Sequence, residues 1–390
     1  MTSSDDSSVH AAQALALADD LVQRLDERAR SAEAQRHLHD ETIAECEPLW
    51  PLVVPTSVGG QGADLATLLE MTRRLARGCP ASAWTISFLV MHSWLVAKLT
   101  DAVSAAVITP ERPFALCPAP LAPTGTLRPV EGGYMVNGTW EWATGVSHAE
   151  WVLVHGLLEG PEFAARFALM RRDDVEVDDV WQTSGMAATG SHTVRADEVF
   201  VPEGLTLDSG VFLRGQVPID GDGLAGMPTI GVLALMAATP SLGAAERAVA
   251  IYRAQLAERT LAYTIGDRAR DQPAAQIRLA SAIADVDAIA ARWERTTTDL
   301  QAAAASGTVD DRLRVRVRLV GAATVRDSRR VINEICEGAG ARPYFSDQPL
   351  QRIQRDIEVL KGHTIFDWDR AAALAGRIEL GDPLGPTDMA

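Results

Sequence analysis

The side chains in this sequence best suited to move protons or to bind a metal are eight histidines: His10, His37, His39, His92, His148, His155, His192 and His363. None stands at a metal-binding spacing supported by nearby carboxylates, so the sequence predicts no metal site. An imidazole that binds no metal is suited to proton exchange, because its ordinary pKa is about 6.5. The four cysteines form no CxxC pair and predict free thiols in a reducing cytoplasm.

Several motifs that are typical of common enzyme classes are absent. The chain has no GxGxxG after a strand, no Walker loop, no GxSxG elbow and no HExxH. These absences argue against dinucleotide-fold dehydrogenases, P-loop NTPases, α/β-hydrolases and zinc peptidases. They also mean that no NAD(P)H-binding motif is visible in this chain.

The size and charge of the chain limit the kinds of partner that it can bind. Its 390 residues are 47% apolar, and a net charge of −16 comes with no basic run that could bind nucleic acid. The polar, acidic N-terminus does not resemble a signal peptide. Two apolar stretches, 81–97 and 224–245, are interrupted by polar residues or prolines and lack basic flanks. They therefore predict buried core helices and not membrane spans.

Three regions of different periodicity follow one another and must position the reactive side chains. Helical patterns dominate residues 1–112, including a stretch at 81–99 that is apolar nearly all round. Residues 113–210 are β-prone, and Asn137-Gly138 predicts the turn of a hairpin within 133–142. Residues 211–390 return to apolar steps of three and four. The sequence thus predicts a helical domain, a β domain and a helical bundle.

Six segments resemble, in chain order, landmarks of the acyl-CoA dehydrogenase superfamily. They are VPTSVGGQG at 54–62, VNGTWEWATG at 136–145, WQTSGMAATGS at 181–191, VFVP at 199–202, EGAG at 337–340 and PLQRIQRD at 349–356. The resemblance implies a mostly α fold with a β insert: an N-terminal helical domain, a central β-barrel-like domain and a C-terminal four-helix bundle. It also implies a flavin, whose flat ring needs an apolar wall and a few hydrogen bonds at its edge.

The positions of the catalytic base separate the branches of this superfamily. The main dehydrogenase branch carries a glutamate shortly after the motif that resembles Arg355-Asp356, and some relatives carry it on the first helix of the C-terminal bundle. Glu358 comes too early for the first place, and Glu246 comes too late for the second. His363 stands at the first place instead. With His92, it resembles the histidines of the oxygenase branch.

The resemblance therefore implies the oxygenase component of a two-component flavin-dependent monooxygenase, a group D hydroxylase. Such an enzyme uses O2 and reduced FMN or FAD from a separate reductase, through a C4a-(hydro)peroxide that needs a dry cavity. The implied reaction is hydroxylation or N-oxidation of a small organic substrate, an aromatic or polyketide compound or an amino sugar. The implied catalytic residues are His92, Thr144 and His363. Cys117 stands where a second serine is common, and a thiol donates only weakly.

The implied flavin-binding residues are Trp142, Thr144, Ser191, Arg259, Gln276, Gly338 and Gly340. The last four resemble positions that hold the phosphate or ribityl tail, partly across a subunit interface, and the family layout implies a homotetramer. His148 and His192 are expected on the hairpin surface without a role.

Other interpretations remain open from the sequence. The chain could be an acyl-CoA dehydrogenase-like flavoenzyme with a displaced base, or a catalytically silent flavin-binding scaffold. Trp140, Trp142 and Trp181 could be plain β-domain core. His92 could be a satisfied core histidine, and His363 a capping residue; Arg259 could form a surface salt bridge.

Overall fold

The computed structural model describes residues 3–99, 105, 107–160, 164–214, 223–385 and 388–389. The helices before the first strand are α1 (Ser3–Gln35), α2 (Asp40–Glu45), α3 (Leu65–Gly78) and α4 (Pro80–Val96). Every residue of α4 is buried, because its sequence is apolar on all sides, and Pro80 occupies its first turn, where no backbone N–H is needed. α4 is therefore a rigid central element from which side chains can be positioned.

A seven-stranded sheet follows, with the order β5-β6-β2-β1-β3-β4-β7. Its strands are β1 (Gly125–Val130), β2 (Gly133–Ala143), β3 (Trp151–Leu158), β4 (Ala165–Arg171), β5 (Glu176–Asp178), β6 (His192–Pro202) and β7 (Thr206–Asp208). All neighbouring strands are antiparallel except β1 and β3, which are parallel.

The predicted turn at Asn137-Gly138 is wrong. Both residues lie inside β2, at a register shift against β6 that is typical of a β-bulge. The chain reverses before β2 instead, where Gly132 has a φ of 78°. The Asn137 side chain donates to the Glu198 carboxylate at 2.6 Å and accepts the Glu198 N–H at 2.7 Å. This cross-strand partner stabilises a bulge where the local sequence predicts a turn.

The C-terminal half is helical. Its helices are α5 (Ser209–Arg214), α6 (Thr229–Glu258), α7 (Pro273–Ala305), α8 (Asp311–Gly338), α9 (Pro349–Leu360) and α10 (Trp368–Glu379). Within the described ranges, α6 alone is long and apolar enough to cross a membrane, and 94% of its apolar window is buried inside the protein. That burial agrees with the core helix expected for residues 224–245.

Candidate active site

A row of aromatic rings runs along one face of α4. Trp84, Phe88 and His92 recur every fourth residue, which places them one above the other on a helix. The ring centroids of Trp84 and Phe88 lie 4.6 Å apart, and those of Phe88 and His92 lie 5.3 Å apart. The His363 ring also contacts Trp84, with a centroid distance of 5.6 Å. The two predicted catalytic histidines therefore stand at opposite ends of this ring row.

The hydrogen bonds of His92 fix its neutral tautomer. Its Nδ1 lies 2.6 Å from the carbonyl oxygen of Cys117. Because a carbonyl can only accept, Nδ1 carries the hydrogen and Nε2 carries the lone pair. Burial lowers the pKa of His92 to about 4, so the ring is neutral at physiological pH. The Nε2 atom is thus a proton acceptor at the end of the ring row.

The partly buried His363 has the opposite tautomer. It precedes a single helical turn at Thr364–Phe366, and its Nδ1 accepts the N–H of Ile365 at 3.3 Å. In the neutral ring the hydrogen therefore sits on Nε2, which makes that atom a donor. Burial lowers the pKa of His363 to about 4. His363 does cap this turn, as one open interpretation held, and it also packs against Trp84.

Three buried hydroxyls lie beside the ring row. The Thr144 and Ser191 oxygens are 2.8 Å apart, and the Ser191 and Thr189 oxygens are also 2.8 Å apart. Trp84 Nε1 lies 3.5 Å from Thr144 Oγ1, a long contact that joins this hydroxyl cluster to the ring row. The N–H of Gly145 donates to the Thr189 carbonyl at 2.9 Å and holds the two loops together. Thr189 was missed from sequence, although it lies inside the segment at 181–191.

Trp142 is exposed, whereas Trp140 and Ala143 on the same strand are buried. It has a φ of 65° and is 59% exposed, a strained backbone for a bulky residue. Trp140, two positions earlier, is fully buried and donates from Nε1 to the His155 carbonyl at 2.7 Å. The plain-core interpretation therefore fits Trp140. Trp142 instead leaves a flat aromatic face available next to Thr144.

The segment at 181–191 is joined to α9 through Arg355 and Asp356. Asp356 is buried, and its Oδ1 accepts the N–H of Met186 at 2.6 Å. A Cβ at Gly185 would lie 2.1 Å from the Arg355 carbonyl oxygen, so only glycine allows this close approach. Burial raises the pKa of Asp356 to about 7. The Arg-Asp motif therefore positions the loop that carries Thr189 and Ser191.

Three of the four predicted tail-binding residues, Arg259, Gly338 and Gly340, lie close together. Arg259 donates to the Ala339 carbonyl at 2.9 Å, and a Cβ at Gly340 would lie 2.6 Å from an Arg259 nitrogen. Gly338 lies in the same loop, at the end of α8. Gln276 is exposed on α7, and its side-chain amide donates to the Arg270 carbonyl at 2.9 Å. The open interpretation of Arg259 as a surface salt bridge has no support among the described ion pairs.

Both carboxylates near the expected base positions are held in ion pairs. Glu246 binds Arg73 at 2.5 Å and Arg77 at 2.6 Å. Glu358 binds Arg329 at 2.7 Å, and its hydrogen bonds to that side chain, to Asn333 and to Lys361 help to lower its pKa to about 2 despite burial. Neither contacts the ring row within the described residues. The structure therefore gives neither glutamate the place of a thioester base.

The expectation that His148 and His192 lie on the surface is wrong. Their side chains are 6% and 9% exposed, because the segment between α1 and α2 covers this part of the β insert. The His37 and His148 rings lie 5.7 Å apart, and a Cβ at Gly190 would meet the Arg36 carbonyl oxygen at 2.8 Å. Burial lowers the pKa of His148 to about 4.

Comparison with known proteins identifies the family. The family of the acyl-CoA dehydrogenase C-terminal domain matches residues 235–368. The flavin-dependent monooxygenase oxygenase subunit HsaA of Mycobacterium tuberculosis is 31% identical over 381 residues, which cover 96% of each chain. The oxygenase component of the FADH(2)-dependent resorcinol hydroxylase of Rhizobium sp. is 29% identical, with 92% of this chain and 91% of that one covered.

Two solved structures agree with this assignment. The HsaA monooxygenase of M. tuberculosis superposes with a TM-score of 0.88 at 30% identity, over 97% of this chain and 100% of that one. XiaF from Streptomyces sp., in complex with FADH2 and glycerol, superposes with a TM-score of 0.89 at 25% identity, over 98% of each chain. These matches confirm the predicted acyl-CoA dehydrogenase-like fold and the oxygenase branch. The chain belongs to the oxygenase components of the flavin-dependent monooxygenases that share this fold.

Proposed function

We propose that this oxygenase component hydroxylates a small phenolic substrate, with His92 as proton acceptor and His363 as hydrogen-bond donor. The observation that carries the proposal is the pair of opposite tautomers at the two ends of the ring row. Flat walls from Trp84, Phe88 and Phe366 suit an aromatic ring better than an amino sugar. The resorcinol and p-hydroxyphenylacetate hydroxylases among the relatives are named for phenolic substrates.

His92 has the properties that a phenol-activating base requires. The Cys117 carbonyl accepts the hydrogen of Nδ1 and so keeps the ring oriented. The lone pair of Nε2 remains available to accept a proton. A neutral imidazole can accept the phenol proton as the ring becomes electron-rich, and a positioned base of this kind contributes roughly 10²–10⁴-fold in rate. His363, with its hydrogen on Nε2, can donate to an oxygen atom that lies beside the Trp84 ring.

The residues around Trp142 fit a flavin ring. An exposed tryptophan face can cover the isoalloxazine, and the Thr144 and Ser191 hydroxyls can bind its edge. When bound in reduced form, the flavin supplies the electrons that activate O2. The apolar residues of α4 keep water away from the site. The names of the relatives as oxygenase subunits or components imply that a partner reductase delivers the reduced flavin.

Arg259, Gln276, Gly338 and Gly340 are proposed to hold the flavin tail. Among the described residues Arg259 has a carbonyl partner and no carboxylate partner, so its charge remains available to a phosphate. FAD is the expected flavin, because one relative is named as FADH(2)-dependent and XiaF was solved with FADH2. Buried free thiols suit the reducing cytoplasm, where we place the enzyme.

A homotetramer is proposed as the working assembly. Tyr263 and Ile265 lie fully exposed in the loop between α6 and α7, close in sequence to Arg259. Bare apolar side chains of this size are typical of surfaces that another chain covers. A second copy packed on this loop would lie near Arg259, one of the proposed tail-binding residues.

The proposed function is tested by supplying reduced FAD, 18O2 and a panel of phenols together with their methyl ethers. One 18O atom should enter the ring of the phenols and not of the ethers, as measured by mass spectrometry. The variant His363→Ala should lose product formation and keep its affinity for reduced flavin. Turnover that survives in this variant would remove His363 from the mechanism. Bleaching of bound flavin by an acyl-CoA, without oxygen incorporation, would favour the dehydrogenase alternative.

A further inference from the structure

We propose that a one-way chain of hydroxyl hydrogen bonds, ending on the Met186 carbonyl, makes Thr144 a hydrogen-bond acceptor and so selects reduced over oxidised flavin. The inference rests on the proposed function in one respect, that Thr144 lies at the N5 edge of the flavin ring. Everything else in it follows from contacts among the chain's own residues.

The direction of the chain is set at its inner end. Thr189 Oγ1 lies 2.9 Å from the carbonyl oxygen of Met186, and a carbonyl has no hydrogen to give, so Thr189 donates. The hydroxyl of Thr189 has a single hydrogen, which this bond uses. In the 2.8 Å contact between Thr189 and Ser191, the donor must therefore be Ser191.

The number of available hydrogens also sets the direction of the bond between Thr144 and Ser191. Ser191 has given its hydrogen to Thr189, so Thr144 is the donor in the 2.8 Å contact between Thr144 and Ser191. The indole N–H of Trp84, which can only donate, approaches Thr144 Oγ1 at 3.5 Å. All hydrogens thus run from Trp84 towards Met186. Thr144 has no hydrogen left to offer outward and presents a lone pair instead.

Reversal of the chain would cost one hydrogen bond at its inner end. The Met186 carbonyl also accepts the indole N–H of Trp181 at 3.0 Å, and the Met186 N–H donates to Asp356 at 2.6 Å. Reversal would turn the hydrogen of Thr189 away from this buried carbonyl and point Ser191 at Thr144. Thr144, Thr189 and Ser191 are all buried, so water cannot replace the hydrogen bond that Thr189 would lose. The polarity of the hydroxyl cluster is therefore built into the fold.

An acceptor at this position distinguishes the two redox states of the flavin. A reduced isoalloxazine carries a hydrogen on N5, which can donate to Thr144. An oxidised isoalloxazine carries a lone pair on N5, which would face the Thr144 lone pair and leave both without a hydrogen. An oxygenase component that receives reduced flavin from another protein gains from this preference, because oxidised flavin is released and does not block the site.

The test compares dissociation constants for oxidised and reduced FAD, the latter by anaerobic titration, in the native protein and in Thr189→Val. Native protein should bind the reduced form more tightly. Thr189→Val leaves Ser191 and Thr144 free to rotate, so the ratio of the two constants should fall about fivefold to tenfold, mainly through tighter binding of oxidised FAD. Thr189→Ser should restore the native ratio. Thr297→Val removes a buried hydroxyl on α7 that donates to the Trp293 carbonyl, and it should leave the ratio unchanged.

Failure of the hydroxyl chain and failure of the proposed function give different results. If native protein and Thr189→Val bind reduced FAD with the same preference over oxidised FAD, the hydroxyl chain does not select the redox state. If native protein binds no reduced FAD, the proposed function itself fails. Should Thr189→Val melt early by circular dichroism, Ser191→Ala breaks the same chain one link further out and must show the same loss of preference. An unchanged ratio in Ser191→Ala contradicts the inference equally.

Discussion

At the scale of single residues, the geometry gives His92 and His363 opposite neutral tautomers, although burial lowers the pKa of both to about 4. Each ring has one nitrogen committed to the backbone, and the committed partner is a carbonyl for His92 and an N–H for His363. One free nitrogen therefore accepts and the other donates. Neither tautomer can be assigned from the residue type, because it depends on which backbone group the ring meets: Cys117, 25 residues from His92, and Ile365, two residues from His363.

His92→Gln should reduce kcat for phenol hydroxylation about 100-fold and leave the affinity for reduced FAD unchanged, because it removes a base and no flavin contact. The control is His155→Gln. His155 is also buried and also bonds a carbonyl through Nδ1, but it stacks on Phe167 in the β insert. Equal losses of kcat in the two variants would show that His92 acts through packing alone.

The pH dependence provides a second readout for His92. Above pH 5 the ring is neutral, so kcat should stay level from pH 8 to about 5 and fall as the pH approaches 4. An ordinary histidine would show this fall at about 6.5. Stability changes in the same direction. Between pH 6.5 and 4 this histidine takes up a proton in the unfolded chain but not in the folded protein, so the free energy of unfolding decreases as the pH falls. An acid limb near 6.5 would contradict the assigned environment.

At the scale of elements, α9 and the segment at 181–191 are joined through one buried carboxyl group. Asp356 bonds Met186 through Oδ1, while Oδ2 is buried without a partner among the described residues. Desolvation raises its pKa to about 7, against smaller opposing effects from the Met186 N–H and the Arg352 charge. The position of Thr189 and Ser191 therefore depends on Asp356, whose buried carboxyl group is more stable when it is protonated.

Asp356→Asn should change the pH dependence of stability in a defined direction. Between about pH 4 and 7 the folded protein keeps a proton on Asp356 that the unfolded chain has lost, so native stability decreases as the pH rises through this range. Asparagine keeps an oxygen for the Met186 N–H and does not ionise. The stability of the variant relative to native protein should therefore be greater at pH 8 than at pH 5, by on the order of 2 kcal/mol. Urea unfolding at both pH values measures it, and an equal difference at both would refute the raised pKa.

At the scale of the whole molecule, the exposed loop between α6 and α7 predicts how copies assemble. Tyr263→Ser with Ile265→Ser removes both bare apolar side chains, and light scattering after gel filtration should show a smaller assembly with a weaker affinity for reduced FAD. Val180→Ser, at an exposed apolar position in the β insert, is the matched control. An unchanged mass in the double variant would place the interface elsewhere. The domain boundaries after residues 112 and 210 stay predictions.

The sequence by itself determined the fold family and singled out His92 and His363 as candidate catalytic residues. The six ordered segments and the uniformly apolar α4 are local signals, since they depend on neighbours within one helix or loop. The missing glutamate base was also visible, and the ion pairs of Glu246 and Glu358 agree with it.

The tertiary structure decided whatever depends on partners far away in the chain. Asn137-Gly138 forms a bulge because Glu198 lies across from it, and His148 is buried because the segment after α1 covers it. The direction of the hydroxyl chain requires Thr144 and Ser191, 47 residues apart, to touch, and Asp356 to meet Met186 across 170 residues. A hydrogen bond has a direction only when both partners are known, and folding is what brings them together.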